Sequence, residues 1–142
     1  MRILVAVDGS ATANRAAAHA VALAEQRADA EITLLNVQNQ QTLDISDVSR
    51  VTTVRANAEY ATDQSQKTLS EAVKLCRDAR VKFNIRSAFG PIAETISKIA
   101  AEIAADQIVM GTRGFSPLQG IMLGSVSTKV IQLARMPVTL VK

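Results

Sequence analysis

Short apolar runs alternate with longer amphipathic stretches along this chain. The runs at 3–7, 32–37, 107–110 and 138–141 are apolar almost throughout, which is typical of strands covered on both faces in a parallel sheet. Between 81 and 86, apolar and polar residues alternate. This second pattern predicts a strand with one solvent-facing side, at the edge of the sheet.

The stretches between these runs have apolar positions three or four residues apart, which predicts four helices. The first covers about 11–29 and the second about 58–80. The third is opened by Gly90-Pro91, with Pro91 suited to its first turn, and the fourth extends from near Ser125 to just before Pro137. The residues expected to face the sheet are Ala13, Ala17, Ala20 and Ala24 in the first helix, Ala61, Ser65, Leu69, Ala72, Cys76 and Ala79 in the second, Ile92, Ile96, Ile99 and Ile103 in the third, and Val126, Val130 and Leu133 in the fourth.

Strands that alternate with helices predict an α/β three-layer sandwich with a five-stranded parallel sheet. The half-polar third strand favours the order 3-2-1-4-5, with that strand at an edge, over the order 2-1-3-4-5. In the favoured order the chain reverses direction between strands 1 and 4, and ligands of open α/β sheets bind beyond the carboxyl ends at such a reversal. The sequence places 8–10 and 111–114 at those ends.

Composition argues against a nucleic-acid-binding or membrane-inserted protein. The 142 residues carry a net charge of +3, contain 3% aromatic residues and are expected to form one domain over 1–142. Few aromatic residues and scattered cations argue against a nucleic-acid partner. No apolar run is long enough for membrane insertion. The lone Cys76 fits a reducing compartment, so we expect a cytoplasmic protein.

A glycine-rich loop after the fourth strand contains the pattern Gly111-x2-Gly114-x9-Gly124-Ser125. Glycines let main-chain N–H groups approach an anion, and the N–H groups of a helix N-terminus, here 124–127, favour phosphate. The hydroxyls of Ser125 and Ser127 would add donors. The pattern alone leaves a second interpretation open, in which the glycines serve only turns and helix capping.

The same pattern, with its spacing, resembles the ATP-binding signature of the universal stress protein family. Further similarity lies in Val5-Ala-Val-Asp8-Gly-Ser10, in Asn36-Val37 and in Gly90-Pro-Ile-Ala-Glu-Thr-Ile96, so it covers essentially the whole chain. The resemblance implies an adenine nucleotide alpha hydrolase-like fold that holds ATP, with Mg²⁺ bound through the phosphates. Many family members have His where this chain has Asn36, which leaves an imidazole role near the base unsupported.

The resemblance also implies roles for individual residues. Asp8 would lie beside the nucleotide, the Val37 main chain would recognise the adenine edge, and Met110 would lie beside the base. The ribose and phosphates would contact Gly111, Gly114, Gly124, Ser125, Val126 and Ser127, and Val7 and Arg113 complete the predicted binding set. Family members commonly form homodimers through the last strand, here 138–141.

The sequence favours a regulatory protein over a fast enzyme. It lacks the Gly-x4-Gly-Lys-Ser/Thr pattern that directs a lysine at phosphates. Arg113 and Lys129 could approach the phosphates or could equally face solvent. Asp8 could contact ribose or metal, or could cap the first helix, for which Ser10 is also a candidate. We therefore expect ATP to regulate a partner surface, with no catalytic residues.

Two alternatives to this expectation remain open, a slow Mg²⁺-dependent nucleotide hydrolase and a nucleotide-free dimeric scaffold. The polar stretch 38–57 is a further open point, because a loop of that length could be a lid over a ligand or a plain surface connection. The unpaired, apolar last strand supports a homodimer on physical grounds also, since such an edge is usually covered.

Overall fold

The computed structural model describes residues 1–39, 52–113 and 123–142, with the main chain alone over 52–62. Strands and helices alternate throughout. Their order is β1 (Arg2–Ala6), α1 (Ala11–Glu25), β2 (Glu31–Gln38), α2 (Thr52–Asp78), β3 (Phe83–Phe89), α3 (Ile92–Glu102), β4 (Gln107–Gly111), α4 (Ser125–Leu133) and β5 (Val138–Val141).

All five strands are parallel and their order is 3-2-1-4-5, which confirms the predicted α/β sandwich. The central strand β1 pairs with β2 on one side and β4 on the other, so that Val5 lies opposite both Leu34 and Val109. The carboxyl ends of β1 and β4 are therefore adjacent. This places the segments after Ala6 and after Gly111 side by side, at the reversal in strand order.

The two faces of the sheet carry separate apolar clusters. Ile3 and Val5 pack with α1 and α2, whereas Leu4 and Ile108 pack with α3 and α4. Because successive side chains of a strand point to opposite faces, a run such as Ile3–Val5 can fill both clusters only if it is apolar throughout. The continuous apolar runs in the sequence have this cause.

The two edge strands differ in exposure. β3 is mostly solvent-exposed, with Ile85 49% and Phe89 46% exposed. Every residue of β5 is half-buried. The alternating pattern thus located one edge correctly, although Ile85 was expected to face inward.

Most of the helix residues that were expected to face the sheet are buried. The four predicted alanines of α1 are buried, as are Ser65, Leu69, Ala72 and Cys76 of α2, whereas the side chain of Ala61 lies outside the described residues. The prediction for Leu133 is wrong, because this last residue of α4 is 42% exposed. Ile92 and Ile103 lie only partly buried at the two ends of the α3 stripe.

Two helix boundaries differ from the predicted ones by several residues. The first helix ends at Glu25 instead of 29, and α2 begins at Thr52, six positions before the expected 58. The predicted loop 38–57 is therefore shorter, and its part at 40–51 lies outside the described residues. Among the helices that the structure describes, none is both long and apolar enough to cross a membrane.

Candidate functional site

A cavity of about 330 Å³ opens beyond the carboxyl ends of β1 and β4, between the first turns of α3 and α4. Every predicted binding residue that the structure describes lines it: Val7, Asp8, Val37, Met110, Gly111, Arg113, Gly124, Ser125, Val126 and Ser127. Gly114 lies outside the described residues. Six further residues line the cavity that sequence reasoning did not assign to the site: Ala6, Ala13, Leu35, Ile92, Ile96 and Leu123.

The inner part of the cavity, here called the apolar floor, is formed by Val7, Leu35, Val37, Ile96 and Met110. All are buried except Val37, which is partly buried. They come from the ends of β1, β2 and β4 and from α3. A surface of this kind suits a flat, apolar group such as a nucleobase.

The outer part, here called the polar mouth, contains Asp8, Arg113 and Ser125. Asp8 is exposed, and its Oδ1 accepts a hydrogen bond from the Ser10 N–H at 2.9 Å. Ser10 itself caps α1, because its Oγ accepts from the Ala13 N–H at 3.2 Å. Of the two candidate caps, Ser10 fills the role. Oδ2 of Asp8 has no hydrogen-bond partner within the described ranges.

The first turn of α4 faces the mouth without a side-chain cap. Its N-cap is Gly124, and the N–H groups of Ser125, Val126 and Ser127 have no partner in the part of the chain that the structure describes. Unpaired N–H groups at a helix N-terminus, together with the helix dipole, attract anions. The arrangement can therefore hold negatively charged oxygen atoms.

Two expected donors are already in use. The Gly124 N–H donates to the carbonyl of Thr112 at 2.8 Å, so the prediction that it points at an anion is wrong. The buried Ser127 hydroxyl donates to the carbonyls of Gly111 and Thr112, at 3.0 and 3.2 Å. The Ser127 hydroxyl hydrogen is therefore already used within the protein.

Gly111 is required by a neighbouring helix. A Cβ at this position would lie 2.6 Å from Oγ1 and 2.9 Å from the main-chain carbon of Thr12. The sequence interpretation, that glycine lets an anion approach the main chain here, stays a prediction, and the contact with Thr12 is a second reason for glycine at this position. Its hydrogen in place of a side chain lets the start of α1 pack against the end of β4.

Asn36 connects two of the strand ends that form the floor. It is 5% exposed, and its Nδ2 donates to the carbonyl of Val7 at 2.8 Å. Its Oδ1 accepts from Gln38 Nε2 at 3.3 Å. Since a buried amide must satisfy both ends, Asn36 is a structural link between the ends of β1 and β2. The apolar run around it carries no sign of this bond.

Lys129 does not line the cavity. Its Nζ forms an ion pair with Glu94, which joins α4 to α3 and lowers the pKa of that carboxyl. Within the described ranges, Asp8 is the one carboxylate in the cavity lining, and no group of three or more His, Cys, Asp or Glu could hold a metal ion. The described lining therefore combines one anionic residue, one cationic residue and a helix N-terminus.

Comparison with known proteins places the chain in a family. Residues 1–142 match the model of the universal stress protein family. Universal stress protein MJ0531 of Methanocaldococcus jannaschii is 33% identical over 147 residues, covering 99% of this chain and 81% of the relative. The chain belongs to the universal stress protein family.

Solved structures of other proteins share the fold. The protein MJ0577 has a TM-score of 0.83 and 29% identity, with 99% of this chain and 94% of that chain covered. A universal stress protein solved in complex with cAMP has a TM-score of 0.73 and 25% identity, with coverage of 100% and 97%. The universal stress protein fold thus extends over the whole chain, and a similar protein of this family binds a nucleotide.

Proposed function

We propose that this universal stress protein binds ATP in the cavity and acts as a regulatory protein. The observation that carries the proposal is the division of one cavity into an apolar floor and a polar mouth with three uncapped N–H groups. The floor would bury the adenine ring. The mouth would place the phosphates against the start of α4, with Arg113 adding positive charge.

The size of the cavity and the affinity expected from its donors both suit a nucleotide. The cavity volume of about 330 Å³ lies within the usual span of ligand pockets. Hydrogen bonds to charged oxygens contribute roughly 1.5–3 kcal/mol each. Three of them together with a buried base are sufficient for a dissociation constant in the micromolar range, which corresponds to about −8 kcal/mol. The cAMP complex of a similar family member supports the class of ligand.

The donor set limits what metal could accompany ATP. Mg²⁺ prefers oxygen ligands and keeps several waters, and Asp8 is the described carboxylate in the cavity lining. The residues fit an ion held chiefly by the phosphates, with Asp8 as a single protein ligand. The ion would neutralise phosphate charge when bound.

We expect ATP turnover to be slow. Rapid phosphoryl transfer needs a positioned water, charge neutralisation on the γ-phosphate and usually a base. Among the described cavity residues Asp8 would have to supply both metal binding and the base. Turnover at ordinary enzyme rates that Asp8→Ala abolishes would favour the hydrolase alternative.

Binding is tested by mass spectrometry of small molecules released from the purified protein, followed by calorimetry with ATP. We expect ATP to bind and Ser125→Ala to weaken it by about 1–2 kcal/mol, the loss of one hydrogen bond to a charged oxygen. Ser70→Ala is the matched control, because Ser70 is exposed and its hydroxyl donates to the main-chain carbonyl of Lys67 in its own helix. If the parent chain binds no nucleotide, the proposal is wrong and the nucleotide-free dimeric scaffold is favoured.

The regulatory output is proposed to run through a homodimer or a protein partner. β5 is an edge strand with half-buried apolar residues, and pairing with a second copy would cover it. Light scattering at micromolar concentration tests the dimer. If the protein is a monomer both with and without ATP, β5 does not form a dimer and the regulatory surface lies elsewhere.

A further inference from the structure

The segment Gly111–Arg113, here called the cradle segment, connects β4 to the polar mouth, and the protein occupies all three of its carbonyl groups. Ser127 Oγ donates to the first at 3.0 Å, and the Gly124 N–H donates to the second at 2.8 Å. Thr12 Oγ1 donates to the third. Carbonyl oxygens carry partial negative charge and repel phosphate, so bonding each of them within the protein favours an anion in the cavity.

Thr12 makes the contact that reaches the cavity mouth. It belongs to the first turn of α1 and lies 101 positions before Arg113 in the chain. The residue itself does not line the cavity. Its side chain also lies against Gly111, where a Cβ would lie only 2.6 Å from its Oγ1. One side chain therefore sets both the start and the end of the cradle segment.

A line of hydrogen bonds joins the two walls of the mouth through Thr12. The Thr12 hydroxyl gives its hydrogen to the Arg113 carbonyl, and its oxygen lies 3.2 Å from Ser10 Oγ. Ser10 must then be the donor between the two hydroxyls. The Ser10 N–H in turn donates to Asp8 Oδ1 at 2.9 Å. The line runs from the acidic wall, Asp8, to the basic wall, Arg113.

We propose that Thr12 is a positioning residue for polyphosphate, an inference that rests on the proposed binding of ATP. Its hydroxyl holds the Arg113 carbonyl out of the phosphate path and fixes the spacing of Asp8 and Arg113 across the mouth. It is not among the described residues that line the cavity, in whose floor the base would bind. Its effect is therefore confined to the phosphate part of the nucleotide.

Calorimetry with ATP and with adenosine tests this role in three forms of the full chain. Thr12→Val keeps the shape of the side chain and removes the hydroxyl, whereas Thr12→Ser keeps the hydroxyl. We expect Thr12→Val to weaken ATP binding about tenfold, since a preorganised contact is lost, and to leave adenosine binding within about twofold. Thr12→Ser should restore most of the ATP affinity.

The outcomes separate the two proposals. If the parent binds neither ligand, the proposed function and the role of Thr12 both fail. If the parent binds ATP and Thr12→Val binds it equally well, only the positioning role is overturned. Equal losses of ATP and adenosine in Thr12→Val would show a general structural effect, which also overturns it. Thermal unfolding of each variant, measured alongside, identifies a variant that loses binding because it has unfolded.

Discussion

The apolar floor and the polar mouth of the cavity are built in different ways. The floor consists of side chains from strand ends and from α3, each held by the packing of its own element. The mouth depends on hydrogen bonds between distant parts of the chain, such as Thr12 with Arg113 and Ser127 with Gly111. The floor thus depends on the same side-chain packing as the hydrophobic core, whereas the mouth depends on separate hydrogen bonds. Substitutions should separate the two.

The largest expected effect is that of Leu35→Ala in the floor. Leu35 is 1% exposed and belongs to the cluster beneath α3 and α4. Truncation leaves a void that the core fills only in part, so we expect a loss of about 2–5 kcal/mol in the free energy of unfolding. Urea denaturation measures it.

The matched control is Leu123→Ala, which removes the same side chain from the same cavity. Leu123 is 42% exposed, and we expect a change within about 0.5 kcal/mol. Equal losses at the two positions would mean that the cavity is not divided as described.

A smaller loss is expected for Gly111→Ala, where the mouth meets the start of α1. The new Cβ would lie 2.9 Å from the main-chain carbon of Thr12. Since a main-chain atom cannot rotate away, the helix must shift, at a cost of about 1–3 kcal/mol in the free energy of unfolding. Denaturation of the ligand-free chain measures this cost without nucleotide.

Gly124→Ala provides the comparison for that variant. There the nearest atom is the Thr112 oxygen at 3.3 Å, and φ is −63°, an ordinary value for alanine. We expect a clearly smaller loss. If Gly124→Ala and Gly111→Ala lose the same free energy of unfolding, the contact with Thr12 does not explain the loss at Gly111.

The smallest effect is expected at the Glu94–Lys129 ion pair, which ties the two helices bordering the cavity. Hydrogen bonding to Lys129 holds the pKa of Glu94 below its usual 4.5. The stabilisation is therefore present above the unfolded-state pKa and is lost as the pH falls through the lower folded value. We expect Glu94→Gln to lower the melting temperature slightly at about pH 7 and to match the parent at a lower pH, below the folded-state pKa of Glu94.

Glu71→Gln is the control, because the exposed Glu71 forms no ion pair within the described residues. It should change the melting temperature little at either pH. A difference between Glu94→Gln and the parent that persists at the lower pH would assign the effect to packing.

The sequence predicted the strand order because that order follows from local hydrophobic pattern. In the floor, Val37 and Met110 were named from the family resemblance, and Leu35 and Ile96 were not assigned to the site. The half-polar strand at 83–89 lies at an edge, and β1, apolar on both faces, lies at the centre. Leu133 shows the limit of this reasoning, since it has the helical spacing of a buried residue but comes at the exposed end of α4.

The contacts of the mouth could not be predicted in the same way. The glycine spacing located the segment, but the bonds from Thr12 and Ser127 join positions that the sequence does not relate. Gly111 lines the cavity as predicted, but the sequence did not indicate its close contact with Thr12. A threonine in the first turn of a helix has no local signature that distinguishes a bond to a distant carbonyl from exposure to water.

The single thiol of the chain has a practical consequence for these experiments. Cys76, a residue of α2, is fully buried, and burial raises its pKa to about 11, so little of it is present as the reactive thiolate near neutral pH. A cysteine introduced at the exposed rim, as in Leu123→Cys, can then be labelled with a maleimide dye while the native thiol is left in place. Fluorescence from that position would report nucleotide arrival directly.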